Sequence, residues 1–267
     1  MRKKVIINGY EYELEIQGTG KPTWLFFHGF MGSLADYQGI TPTGTRIYMN
    51  LLGFGSKLKT IKQSQRFMGY QQVTDICRLL DKLSINKVNL VGYSMGARLA
   101  LVFGHTVPNR VDHLVLESGT AGLMTQDLRQ QRIIADGHKA DHVTQVGMST
   151  FIREWEQLPL FKSQKSMSAA QQLFMHEQRL NQNAQNVANS LRFFGTGAMP
   201  NLWPELAYMH IPVTLITGMD DHKFTQINQK MQQQLPNVQW CQVPQAGHNV
   251  HFERPDQVID ILNAIHH

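Results

Sequence analysis

Lys87-Val88-Asn89-Leu90-Val91-Gly92-Tyr93-Ser94-Met95-Gly96-Ala97-Arg98 is the stretch on which the fold turns. Lys87 to Val91 reads as a short buried strand, and Met95 to Val107 carries apolar residues at helical spacing. The chain therefore passes from strand to helix through Gly92-Tyr93-Ser94-Met95-Gly96. A Gly-x-Ser-x-Gly match says little by itself, but between a strand and a helix it has the context of a nucleophile elbow. The turn is so tight that side chains at 92 and 96 would strike neighbouring backbone, and Ser94 is held strained with its hydroxyl exposed.

On either side of this turn, strand and helix patterns alternate. Val5-Ile6-Ile7 and Tyr10 to Ile16 flank Asn8-Gly9, a dipeptide that accepts positive φ at both turn positions, so the spacing predicts an opening β-hairpin. Further short apolar runs read as strands: Trp24 to Phe27, Arg46 to Met49, Val111 to Leu116, Val213 to Thr217 and Val238 to Val243. Tyr70 to Leu83, Thr225 to Leu235 and Asp256 to Ile265 read as helices. Such alternation implies an α/β fold with a mostly parallel sheet flanked by helices on both faces.

Between about Gly122 and Pro204 the alternation stops, and at least three helical blocks replace it. The expected organisation is a core of residues 1–121 and 205–267 with an inserted helical cap over 122–204. A chain that leaves a sheet and rejoins it must lie over one edge, and ligands of open parallel sheets bind beyond the carboxyl ends of the strands.

Composition excludes several classes. The 267 residues are 42% hydrophobic and 17% charged, too apolar for disorder. Lys and Arg exceed Asp and Glu by 25 to 20, and the pI is near 9.2. The densest basic clusters, Arg2-Lys3-Lys4 and Lys57, Lys59, Lys62, are too short to form a nucleic-acid stripe, so no nucleic-acid partner is expected. Cys77 and Cys241 have no ligand-type spacing and read as reduced core thiols. No apolar stretch is long enough to span a bilayer, and the N-terminal residues lack a leader pattern, so the expectation is a cytoplasmic protein without membrane insertion. No metal cluster or phosphate loop appears, and neither metal nor organic cofactor is expected.

Ser94 makes specific demands on the rest of the chain. His28-Gly29-Phe30 ends the strand at Trp24 to Phe27, where the Phe30 N–H, with that of Met95, can form an oxyanion hole. Twelve histidines make any single one a poor candidate, but His248 follows the last strand in Gly247-His248-Asn249, where a base is needed. Asp220 and Asp221 both follow the strand at Val213 to Thr217, and spacing does not distinguish them. Either gives the chain order Ser, Asp, His.

These motifs resemble the α/β-hydrolase superfamily and, more narrowly, the 2-succinyl-6-hydroxy-2,4-cyclohexadiene-1-carboxylate synthase family of menaquinone biosynthesis. The elbow Leu90 to Arg98 is similar to that family's, with Tyr before the Ser and Arg four residues after it. So are Leu116-Glu117-Ser118 through Ala121-Gly122-Leu123, Gln131-Arg132, Trp155 to Phe161, Gln178-Arg179-Leu180, Ser190-Leu191-Arg192, Gly195-Thr196-Gly197 and Pro200 to Trp203. The cap blocks discriminate better than the elbow. Gly218 to Phe224 resembles a Gly-x-x-Asp-x-Lys-Phe pattern that places the acid at Asp221, and Gly247-His248-Asn249 with His251 and Pro255 matches the final motif. The chain departs at Asn50-Leu51-Leu52-Gly53-Phe54-Gly55, where relatives commonly carry Asp-Leu-Pro-Gly-His-Gly, and at Ala97 in place of Gly.

What the resemblance implies is a lyase that expels pyruvate from a tricarboxylate, with Ser94, His248 and Asp221 catalytic and Phe30 and Met95 holding an oxyanion. Arg98, one helical turn beyond Ser94, and the cap residues Arg132 and Arg179 would bind carboxylates, for which a planar guanidinium is well shaped. Tyr93 and Trp155 would line the pocket, although an aromatic in either place also serves packing. Two rivals share the scaffold: a serine hydrolase of esters or carbon–carbon bonds, which has no need of three arginines, and a non-catalytic receptor, against which a complete triad counts. Sequence leaves the oligomeric state open.

Overall fold

The short apolar runs, separated by helical segments, pair into one eight-stranded sheet. The structure is a computed structural model that describes residues 1–55 and 59–265. Lys57 of the second basic cluster lies outside the described residues. In chain order the elements are β1 (Arg2–Ile7), β2 (Tyr10–Gln17), β3 (Thr23–Phe27), β4 (Thr45–Met49), α1 (Gly69–Lys82), β5 (Val88–Tyr93), α2 (Met95–Thr106) and β6 (Val111–Glu117). Then follow α3 (Gln126–Trp155), α4 (Ala169–Leu180), α5 (Ala184–Phe194), β7 (Val213–Gly218), α6 (His222–Gln232), β8 (Val238–Val243), α7 (Val250–Glu253) and α8 (Pro255–Ala264).

The strand order is β1-β2-β4-β3-β5-β6-β7-β8, antiparallel at the β1-β2 and β2-β4 pairings and parallel elsewhere. Asn8 and Gly9 both have positive φ, as the opening hairpin requires. Successive side chains point to opposite faces. Leu25, Phe27, Leu90, Leu114 and Leu215 join α1 and α2 in one apolar cluster, whereas Trp24, Phe26, Val91, Val115 and Ile216 join Val258 and Leu262 of α8 in the other. Each large side chain buried in this way contributes about 1.5–3 kcal/mol.

Among the described residues three α-helices and two 3-10 helices intervene between β6 and β7. The first, α3, is broken at Gly147, where φ is +76° and ψ 169°. Buried residues of α3 and α5, among them Ala140, Val143, Val187 and Leu191, belong to the same cluster as α1 and α2, so this segment rests on the core through continuous apolar packing. Among the described residues no helix is long and apolar enough to cross a membrane.

Two local features differ from what the sequence predicts. Helix α6 begins at His222 instead of Thr225, because Asp221 caps it and accepts a hydrogen bond from the Phe224 N–H at 3.2 Å. Cys77 and Cys241 are free thiols but only half-buried: Cys77 packs against the core from α1, and Cys241 lies on β8, the last strand of the sheet.

Candidate active site

Ser94 has φ +51° and ψ −104°, outside the regions comfortable for a non-glycine residue. The close approach of β3 to α2 demands glycine at 96, where a Cβ would collide with the Phe27 and His28 carbonyl oxygens. The strained serine is held by its neighbours, its N–H donating to the Glu117 carbonyl at 2.9 Å.

From the loop after β8, His248 Nε2 lies 3.0 Å from Ser94 Oγ, and Nδ1 lies 2.7 Å from Asp221 Oδ2. With the Nδ1 proton donated to Asp221, Nε2 accepts from the serine hydroxyl. Asp221 and His248 are both buried, so water does not compete for their hydrogen bond. Asp220 is exposed and meets the Ala246 carbonyl through its own N–H. The acid's position is doubly fixed, since Asp221 faces His248 with one oxygen and caps α6 with the other. The Phe224 ring packs 4.5 Å from the imidazole.

As the first residue of α2, Met95 has an N–H without an intrahelical acceptor. The Phe30 N–H likewise meets no protein acceptor among the described residues. Both residues line a cavity of about 210 Å³ together with Ser94 and His248. His28 fixes the approach of the Phe30 loop: Leu51 N–H donates to its Nε2 at 3.0 Å, leaving Nδ1 to donate to the Gly29 carbonyl at 2.7 Å. Its complete burial pulls the imidazole to about 4, so the ring is neutral. In the loop that departs from the resembling family, Asn50 accepts from Leu34 N–H at 2.7 Å and donates to Glu13 at 3.0 Å. A carboxylate at position 50 could not donate that second bond.

Arg98, Arg132, Arg179, Tyr93 and Trp155 all line the same cavity, brought together from α2, the inserted helices and the elbow. Their electrostatic states differ. Arg98 donates to the Phe194 carbonyl at 2.7 Å and packs on its ring, but no carboxylate among the described residues pairs with it. Burial, with Arg132 nearby, pulls the Arg98 guanidinium to about 10, and it stays charged near neutrality. Arg132 pairs with Asp136 at 2.8 Å, and Arg179 with Glu156 at 2.8 Å. Trp155 lies against Phe30 with ring centroids 5.3 Å apart, joining the inserted helices to the loop after β3.

The cavity also contains residues that sequence reasoning did not single out. Lys223 lines it without a carboxylate partner among the described residues, and burial, with Arg132, holds its ammonium below the usual lysine range. Its signal lay in the Asp-x-Lys-Phe pattern, two residues beyond Asp221. Asp136 is 1% exposed, and its Oδ2 has no partner among the described residues. Asp36 lines the cavity as well, and burial raises its carboxyl to about 6. No local pattern distinguishes these two acids from surface carboxylates. Among the described residues no group of three or more His, Cys, Asp and Glu side chains is arranged to hold a metal ion.

Residues 22–255 match the model of the alpha/beta hydrolase fold family. A Bacillus subtilis protein named "Putative 2-succinyl-6-hydroxy-2,4-cyclohexadiene-1-carboxylate synthase" is 37% identical over 94% of this chain and 92% of its own. A Salmonella arizonae protein bearing the name 2-succinyl-6-hydroxy-2,4-cyclohexadiene-1-carboxylate synthase is 29% identical over 92% of this chain and 94% of its own. The solved structure titled "Structure of MenH from S. aureus" superposes with a TM-score of 0.88 at 29% identity, covering 94% of this chain and 96% of that one.

Proposed function

The chain belongs to the α/β-hydrolase family and, within it, to the 2-succinyl-6-hydroxy-2,4-cyclohexadiene-1-carboxylate synthases, and from that premise we propose that it is a lyase of menaquinone biosynthesis. The reaction eliminates pyruvate from 2-succinyl-5-enolpyruvyl-6-hydroxy-3-cyclohexene-1-carboxylate and leaves the conjugated cyclohexadiene. The observation that carries this reading is a hydrogen-bonded Ser94-His248-Asp221 array opening into the cavity that contains Arg98, which has no carboxylate partner among the described residues.

In this reading His248, oriented by Asp221, makes Ser94 basic enough to take the ring proton next to the succinyl ketone. Negative charge moves onto the ketone oxygen, where the Phe30 and Met95 N–H groups hold it, each worth about 3–4 kcal/mol in comparable sites. The electron pair then shifts through the ring double bond, the carbon–oxygen bond to enolpyruvate breaks, and the leaving group takes up a proton to become pyruvate. No water is consumed. Arg98, Arg132 and Arg179 receive the three carboxylates, Tyr93 and Trp155 bound the pocket, and residues 122–204 act as its cap. No cofactor enters this scheme.

The test offers the purified protein the enolpyruvyl tricarboxylate and a neutral aryl ester, and measures pyruvate release against ester cleavage. Pyruvate release with poor ester turnover is expected. Ester cleavage without pyruvate release overturns the lyase reading and assigns Ser94 as the nucleophile of a serine hydrolase.

A further inference from the structure

We infer that Glu117 and His251 form a second acid–imidazole pair, behind the cavity, that positions Ser94 and His248 for the reaction. The inference rests on the roles proposed above for those two residues. Glu117 closes β6, and both its carboxylate oxygens lie 2.9 Å from His251 Nδ1. One of them also accepts the His251 backbone N–H at 3.1 Å. The pair is nearly enclosed, Glu117 being 1% and His251 2% exposed.

Its connections run to the reacting residues. The carbonyl of Glu117 accepts the N–H of strained Ser94, and the hydroxyl of the next residue, Ser118, donates to the His248 carbonyl at 2.9 Å. The last residue of β6 and the one that follows it thus hold the nucleophile segment and the base loop. The His251 ring stacks on Tyr37 at 4.4 Å and meets the Tyr93 ring edge-on at 4.9 Å. Tyr93 directly precedes Ser94, and its ring lies 5.4 Å from His248. Moving His251 therefore shifts the packing on both sides of the Ser94-His248 hydrogen bond.

A carboxylate buried this deeply is costly unless a donor faces it. The parallel ladder already secures the backbone of β6. The side-chain pair adds a fixed link from β6 to α7 and the loop that carries His248. Neither Glu117 nor His251 lines the cavity that Ser94 and His248 share. They are positioning residues whose effect passes through Ser94, His248 and Tyr93.

Two substitutions separate positioning from packing. His251→Phe keeps an aromatic ring but removes the donor, and His251→Asn restores an N–H donor near the place of Nδ1. The readouts are kcat and KM for pyruvate release and the rate at which a fluorophosphonate labels Ser94. For His251→Phe we expect kcat and labelling to fall about tenfold to 100-fold with KM changed less than about twofold, as for a small misplacement of reacting groups, and His251→Asn to recover most of the loss. Should His251→Phe fail to fold, Glu117→Gln, which keeps an acceptor for the His251 backbone N–H, takes its place with the same expected loss of labelling.

Labelling of a folded His251→Phe or Glu117→Gln protein at the wild-type rate overturns the inference. So does an equal loss in His251→Asn and His251→Phe. A wild-type protein that labels at Ser94 but releases no pyruvate overturns the proposed reaction instead, and the labelling series still decides the role of the pair.

Discussion

Arg132 Nε lies 2.8 Å from Asp136 Oδ1, so this cation of the cavity already has a buried counterion before any substrate binds. Arg98 has none among the described residues. A substrate carboxylate gains more from an unpaired guanidinium than from one it must share, because the shared one is already partly neutralised.

Arg98→Met should therefore weaken use of the tricarboxylate most. A charge-assisted hydrogen bond contributes about 1.5–3 kcal/mol, or roughly tenfold to 150-fold in kcat/KM. Turnover of a neutral ester is the control, and an equal loss on both substrates would show that Arg98 acts through its bond to Phe194.

Arg132→Met should lower stability as well as binding, since among the described residues it leaves Asp136 with Lys139 alone, 3.4 Å away. A loss of about 1–3 kcal/mol is expected, and adding Asp136→Asn should restore most of it. Thermal unfolding of the single and double variants checks this.

Asp221 has two tasks, and one substitution separates them. Asn is as good a helix cap as Asp. Asp221→Asn should change stability by less than about 1 kcal/mol yet lower kcat by about 10³–10⁴, because the imidazolium loses its counterion and its tautomer is no longer enforced. Asp221→Ala should add a loss of about 1 kcal/mol from the missing cap. Parallel measurement of kcat and melting temperature distinguishes the two.

Lys223→Met should raise KM for the tricarboxylate by about tenfold with little change in kcat, equivalent to about 1.4 kcal/mol. Because this ammonium is partly open to solvent, the difference from wild type should shrink as salt rises. A KM unchanged at low salt would remove Lys223 from the binding site.

The pH dependence of stability has a worked sign at two residues. His28 is held at about 4, below its ordinary value, so its neutral form is favoured in the fold. That stabilisation is complete above about pH 6.5 and is lost as pH falls toward 4, a change of up to about 3 kcal/mol. Asp36, raised to about 6, acts oppositely: ionising it costs stability as pH climbs through the same window. His28→Gln should flatten the fall in melting temperature between about pH 6.5 and 4, and Asp36→Asn should steepen it.

Much of this protein is written locally. Gly92 and Gly96 are legible because the elbow leaves no room for a Cβ, and the strands at Trp24 to Phe27 and Val213 to Thr217 are legible because burial on both faces demands continuous apolar runs. The start of α6 is not legible from periodicity, because Asp221 serves both as the acid facing His248 and as the helix cap. The Glu117-His251 pair spans 134 residues and leaves no periodic trace.

By itself the sequence determined the strand–helix alternation, the tight turn at Ser94 and the order Ser, Asp, His, since each depends on sterics or periodicity among near neighbours. Spacing left Asp220 and Asp221 equivalent and the family resemblance pointed to Asp221, which the fold sets against His248. Only the tertiary structure decided which arginines carry internal counterions and what stands behind the nucleophile. Those outcomes depend on distances through space and on desolvation, and both exist only once the chain has closed around the site.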